Sequence, residues 1–375
     1  MSGGRALADW QARLLRVRAQ RLDPQFAPVG DGPAEVVRAV VGVQAQDARA
    51  GSLAVRARSR GLTAAAVDRA REERELVRTR LMRGTLHLVA AFDVGWLLAL
   101  LGPVFDRPSR RRQELGLDEA TCARAVDVIC EALGRDGPLT RAELSGELAG
   151  QGLPAAGQAT IHLLGHAGLR GYICQGPDRA GEPTYVLLDD WIPAGPSLSA
   201  EEAGVELARR YLAGYAPAGP ADFAAWAGLL MGQARAAWAG LANELIPVEV
   251  AGRAAWLPEA RAAWLDEPQP APSVRLLPAF DTYLLGYESR DLALAPEHAR
   301  RIHPGGGILH PALLIDGRVA GTWRMRRRQT RLDVEVEPFA PLPAPVTDAL
   351  AGEAEDVGHF LGEQAALVLR PVLSA

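Results

Sequence analysis

The sequence predicts a mainly α chain with β hairpins, an α+β architecture of three tandem winged-helix units followed by a β-rich C-terminal domain. Three observations predict it. A block of helix, helix, helix and two-strand pattern occurs once clearly and twice more in outline. The blocks recur at roughly 70 to 90 residues, the scale of a tandem array. Beyond the Pro-rich stretch at 268–273 the apolar period shortens from helical to strand-like. The boundaries that follow are 1–115 for a first winged helix with an N-terminal helix, 116–196 for a second, 197–270 for a third, and 271–375 for the β-rich domain.

The first block spans 34–92. Val36, Val37, Val40 and Val41 follow helical spacing, and Gly42 interrupts that helix. Asp47 is suited to cap the next helix, "ARAGSLAVRARS" (48–59), which Gly61 can end. "TAAAVDRAREE" (63–73) is a third helix, and "LVRTRLMRGTLHLVA" (76–90) a hairpin candidate. In the second block, "LDEATCARAVDVICEALG" (117–134) is an amphipathic helix. "GPLTRAELSGELAG" (137–150) places Thr140 as an N-cap with Glu143 three residues on, a capping box. "GQATIHLLGHAGLRGYICQG" (157–176) runs from helix into strand, "PDRAGE" turns, and "PTYVLLDDW" returns as a strand. The third block repeats this order over 199–268.

In the last region "VRLLPAFDTYLLGY" (274–287), "ALLIDGRVAGTWRMRR" (312–327) and "TRLDVEVEPF" (330–339) are expected strands, with Asp316-Gly317 as a hairpin turn. "VTDALAGEAEDVGHFLGEQAALVL" (346–369) is expected to close the chain as one helix.

Composition excludes several function classes. The 375 residues are 48% hydrophobic and 23% charged, with net charge −4, which is ordinary for a globular protein. No apolar run approaches the ~20 residues of a membrane span, and the first residues lack a signal-peptide core. Cys122, Cys130 and Cys174 are scattered without CxxC spacing, as free thiols in a reducing cytoplasm would be. All 41 basic residues are arginine. Without a lysine ε-amino group, lyase chemistry through a side-chain imine is excluded. The arginines cluster at 49–60, 69–83, 107–112 and 324–331. Such local stripes on an acidic whole fit a face for nucleic acid, although "DRAREERELVRTR" (68–80) shows that many have acidic neighbours to pair with.

"VVGVQAQDARAG" (40–51) carries two glutamines, Gln44 and Gln46, in the link between two helices. On a continuous helix they would point about 200° apart; in an extended link their side chains share one side. The positive end of the following helix lies beside them. Taken alone, such a pair is most simply a set of caps at a helix junction. The wider chain changes that weighting. It resembles the AlkZ-type winged-helix DNA glycosylases, bacterial enzymes that excise alkylated bases and unhook interstrand crosslinks. That family's catalytic motif is glutamine, apolar residue, glutamine, matched by "QAQ" at 44–46. "RTRLMRGTLHLV" (78–89), "LLPAFDTYLLGY" (276–287) and "LLIDGRVAGTW" (313–323) also resemble it, so the similarity spans essentially the whole chain. A related YcaQ branch has aspartate at the second motif position; Gln46 places this chain with the AlkZ branch, and Asp47 lies one step later. The Gly-rich segment 302–311 departs from the pattern and receives no residue-level role.

The resemblance implies Gln44 and Gln46 as catalytic residues of a monofunctional glycosylase acting on N7-alkylguanine or bulky alkylpurine adducts. It implies duplex DNA as partner; the sequence itself calls for no cofactor, no membrane and no second copy of the chain. Arg49, Arg78, Arg80, Arg83, Arg324, Arg326, Arg327 and Arg328 are candidate phosphate contacts, and His87 a candidate at the same face, although alternation with apolar neighbours equally suits a structural histidine. His162 and His166 have i, i+4 spacing but no third ligand nearby, so no metal is expected. A non-catalytic winged-helix regulator or damage binder is the competing expectation.

Overall fold

The computed structural model describes residues 4–23, 30–267 and 272–372. The chain divides into two compact units, Met1–Val67 with Gly204–Ala375, and Asp68–Ala203. The blocks of the sequence pattern describe local element order; these units describe packing, and the two divide the chain at different places. The Pro-rich boundary at 268–273 lies largely outside the described residues.

The smaller unit opens with the hairpin Leu76–Arg80 and Leu86–Ala90, paired antiparallel with Arg78 opposite Leu88. Helices Ala91–Phe105, Glu119–Asp136, Arg141–Gly150 and Ala159–Leu169 follow, then the strands Ile173–Gln175 and Thr184–Leu187. Asp118 caps the second of these helices through the Thr121 amide at 2.7 Å. Thr140 and Glu143 form the expected capping box at the start of the third. Ile129, Leu144, Leu148, Leu163 and Ile173 share one core, so three helices and the strand pair Ile173–Gln175 and Thr184–Leu187 bury a common face. Within the unit the strands run in the order Leu86–Ala90, Leu76–Arg80, Ile173–Gln175, Thr184–Leu187 and Leu139–Thr140.

The larger unit carries the helices Asp9–Ala19, Pro33–Ala39 and Ala48–Ala57 from the first part of the chain. Its later part contributes Pro220–Ala227 and Met231–Ala239, then the hairpin Leu245–Val250 and Arg253–Pro258. Arg5–Leu7 adds a parallel strand to that hairpin. A five-stranded sheet then runs in chain order through Val274–Leu277, Ala312–Ile315, Arg318–Arg327, Leu332–Pro338 and Ala365–Leu369. Asp316 and Gly317 have φ of 49° and 75°, the pair of positive values that lets a two-residue turn follow the twist of its strands. Val17, Leu277, Tyr283, Leu314 and Val319 form the core between helix Asp9–Ala19 and the sheet.

Three stretches depart from expectation. The strand expected from "PTYVLLDDW" ends at Leu187, and Leu188–Trp191 forms a short helix. Residues 278–287 do not continue the strand: Asp281 accepts the Tyr283 amide at 2.8 Å and starts the short helix Thr282–Leu285. The terminal helix stops at Leu361, where Gly362 takes φ of 67°, and Ala365–Leu369 becomes a strand parallel to Leu332–Pro338. Among the described residues no helix is long and apolar enough to cross a membrane, and no three His, Cys, Asp or Glu side chains gather as for a metal ion.

Candidate active site

Helix Pro33–Ala39 starts with proline in its first turn, and the chain leaves it through Val41 at φ of 68°. A β-branched residue in the left-handed region costs about 1–3 kcal/mol and persists only where packing over-determines it. Here Val40, Val41 and Val43 are all buried. The reversal places Val43–Gln44 in extended conformation. Side chains two residues apart then share one side, and Gln44 Nε2 donates to Gln46 Oε1 at 2.7 Å. Gln44 is buried and Gln46 exposed, so the pair runs from interior to surface.

Asp47 is the cap that its position predicts. Its carboxylate accepts the Ala50 amide at 3.0 Å and starts helix Ala48–Ala57. Gly51 lets this helix lie against the residue between the two glutamines, because a Cβ at 51 would stand 2.8 Å from the Ala45 Cβ. Tyr215 Oη donates to the Val40 carbonyl at 3.1 Å from the other side. None of Ala45, Gly51 and Tyr215 was singled out from the sequence. The only signal was a glycine inside an otherwise helical pattern.

The far end of the same helix is fixed by buried charges. Arg56 donates to Glu353 at 3.1 Å, to Asp356 at 2.9 Å and to the Leu276 carbonyl at 2.7 Å. Glu353 also takes Arg275 and, at 2.9 Å, the Leu276 amide. Burial alone would raise the Glu353 carboxyl, but Arg56 and Arg275 outweigh it and hold the group below its ordinary range. Arg58 meets both Asp281 oxygens at 2.8 and 2.7 Å, and also Gln20 and Thr282. The arginine stripe at 49–60 is therefore not a surface feature throughout. Arg56 and Arg58 are interior, and only arginines such as the exposed Arg49 face solvent there.

The remaining candidates fall into separate settings. Arg49 donates to Met325 Sδ at 3.5 Å, which brings the start of the helix behind the glutamines to strand Arg318–Arg327. Alternation divides that strand's arginines. Arg327, on the Met325 side, pairs with Glu363, whose carboxyl it holds low. Arg324 lies opposite Glu335 and pairs with it at 2.7 Å, with Arg326 at 3.9 Å from the same carboxylate. Arg328 pairs with Asp333 at 2.9 Å.

In the smaller unit Arg78 is buried and donates to Gln175 Oε1 at 2.7 Å. Arg80 donates to the Gly84 carbonyl at 3.0 Å, and burial lowers its pKa. Arg83 turns the hairpin at φ of 55°. His87 is 1% exposed, with Nδ1 2.9 Å from the Thr85 carbonyl. Burial, helped by the Arg83 charge, pushes its pKa down to about 3, so it is a neutral interior imidazole with no charge to offer a phosphate. His166 Nδ1 meets Asp106 at 2.6 Å, which gives that histidine a structural partner. All three cysteines are free.

This geometry offers a pre-set amide pair on a braced helix junction, able to hold a polar molecule and unsuited to strong acid or base catalysis. Comparison with known proteins agrees with a glycosylase. Residues 37–360 match the family model described as DNA glycosylase AlkZ-like. An interstrand DNA cross-link repair glycosylase of Streptomyces sahachiroi is 30% identical, over 95% of this chain and 97% of the relative. The solved structure of Streptomyces sahachiroi DNA glycosylase AlkZ superimposes with a TM-score of 0.82 at 27% identity, covering 97% of this chain and all of that one. A match over most of its length, with the glutamine pair inside it, makes this chain a member of the AlkZ-like DNA glycosylase family.

Proposed function

We propose that the protein is a monofunctional DNA glycosylase that hydrolyses the N-glycosidic bond of N7-alkylguanine and bulky alkylpurine adducts, including those that tie two strands together. The observation that carries this reading is the 2.7 Å contact between Gln44 and Gln46, which makes two weak side chains one rigid unit. Alkylation at N7 leaves the purine cationic, so its bond to C1′ breaks with the electron pair going to N9 and the base leaves neutral. No strong general acid is required. The enzyme must instead place water at C1′ and stabilise an oxocarbenium-like transition state, as glycoside hydrolysis does.

An amide oxygen can accept two hydrogen bonds, so Gln46 Oε1 can take the Gln44 N–H and also a water O–H. The water oxygen bonds to C1′, and its proton passes to solvent. Fixing that line of attack supplies several kcal/mol of the barrier, and the carbonyl dipoles face the positive sugar. With no lysine in the chain the product is an intact abasic site. A crosslink joins both strands and cannot be flipped into a tight pocket, which favours the half-exposed placement of the pair. The name of the Streptomyces sahachiroi relative, an interstrand DNA cross-link repair glycosylase, supports a crosslink among the substrates; the role is DNA repair or self-resistance to a DNA-alkylating natural product. The protein acts as a monomer on duplex DNA inside the cell.

The test is duplex DNA carrying one N7-alkylguanine. Strand cleavage only after alkali supports the reading. No base release from either a small adduct or a crosslink leaves a DNA-binding protein whose glutamines only join two helices.

A further inference from the structure

The smaller unit carries a half-open pocket of about 330 Å³ that the glutamine chemistry does not use. Its wall is made by strand Leu76–Arg80, the start of helix Arg141–Gly150, helix Ala159–Leu169 and the hairpin beyond it. The polar lining is dominated by donors. Arg78, Arg80 and Arg141 contribute three guanidinium groups, against one carboxylate, that of the exposed Glu182.

Arg80 is the informative one. Among the described residues its guanidinium donates to a backbone carbonyl and pairs with no carboxylate, although burial already penalises its charge. Its guanidinium lies along Gly165, where a Cβ would stand 3.1 Å from Nε, so a glycine in the helix leaves room for it. Arg141, which is exposed, has no ion pair among the described residues. Gln175 must present its oxygen to Arg78, because guanidinium only donates. Its NH₂ group then remains as a donor, with no acceptor among the described residues. Tyr185, Ile161 and Leu164 form an apolar wall beside these groups.

We infer that this cavity binds a phosphomonoester nucleotide, with the phosphate on Arg80 and Arg141 and the base against Tyr185. Acceptor-only oxygens are what such a lining selects, and planar guanidinium pairs match phosphate geometry. The volume is at the lower end of ligand pockets, about 300–1,000 Å³, and suits one nucleotide, not a run of duplex. A free mononucleotide and a 5′-phosphorylated strand end present the same chemistry. The inference does not rest on glycosylase activity.

The test is calorimetric titration of the full-length protein with deoxyguanosine 5′-monophosphate, inorganic phosphate and deoxyguanosine. Saturable binding of the nucleotide, competed by phosphate and absent for deoxyguanosine, is expected. Arg141→Ala and Arg80→Met should each weaken it about tenfold or more. A short single strand with a 5′-phosphate that binds more tightly than its 5′-hydroxyl twin, through Arg80, identifies the strand end. Equal binding of the two strands beside tight nucleotide binding identifies the free nucleotide. Absence of any phosphate-dependent binding at millimolar concentration overturns the inference, as does nucleotide binding that neither substitution changes. If Arg80→Met does not fold, the exposed Arg141 carries the test alone.

Discussion

Gln44 donates its side-chain N–H to the side-chain oxygen of Gln46 across 2.7 Å, from a buried position to an exposed one. The link they share is held by a strained Val41, a capping Asp47 and a glycine contact at Ala45. Catalysis by such a pair depends on placement more than on proton affinity.

Two residues that act as a unit give non-additive losses. Gln44→Ala and Gln46→Ala should each slow single-turnover base release by about 10²- to 10³-fold, the scale of losing one oriented polar contact. The double variant should be no more than about threefold slower than the worse single variant. Losses that multiply would show two independent groups.

Gly51→Ala adds a methyl 2.8 Å from the Ala45 Cβ. The overpacking should cost about 1–3 kcal/mol and displace the backbone between the glutamines. Single-turnover rate should fall while duplex affinity stays near wild type, and Ala45→Gly should restore part of the rate. Rate and affinity falling together would point to general damage.

Glu353→Gln leaves Arg56 and Arg275 without their shared carboxylate and should destabilise by about 3–5 kcal/mol in thermal melting. The Glu353 carboxyl lies below its ordinary value in the folded state, so its contribution is complete above the unfolded pKa near 4.5 and is lost as pH falls through the lower folded value. The variant should lack that acid-side loss.

His87 acts in a different window. Its folded pKa of about 3 lies below the ordinary 6.5, so the unfolded chain binds the extra proton between those values and stability falls as pH drops. The slope is at most about 1.4 kcal/mol per pH unit. His87→Gln should flatten melting temperature between pH 6.5 and 4.5, and the imidazole resonances of His87 should not titrate between pH 5 and 8.

Arg49 and Arg327 gather on one side of strand Arg318–Arg327, and Arg324 with Arg326 on the other. If the Arg49 side follows the duplex backbone, Arg49→Ala and Arg327→Ala should each lower the salt dependence of duplex affinity by about one ion, uniformly across sequences. Arg324→Ala should change it less. An equal effect from all three would place both sides against DNA.

What was legible in the sequence was local. The Thr140–Glu143 capping box, the Asp47 cap and the shared side of Gln44 and Gln46 need only a few neighbouring residues, and all three are present. The misread elements turn on single residues: Asp281 starts a helical turn inside a strand-like run, and Gly362 lets "AALVL" leave the helix to pair with Leu332–Pro338. The bracing of the site was hidden because its partners are distant in the chain. Arg56 meets Glu353 across 297 residues and Arg58 meets Asp281 across 223, so two arginines that read as surface charge are interior. The contact of Gly51 with Ala45 is a matter of helix approach, which no spacing rule reports.

The most direct test of the central claim is single-turnover base release from duplex N7-alkylguanine by the Gln44→Ala/Gln46→Ala protein, measured beside its affinity for the same duplex. Near-wild-type affinity with base release reduced by at least about 10²-fold is the expected result. Unchanged release would contradict the account and move the chemistry away from the glutamine pair.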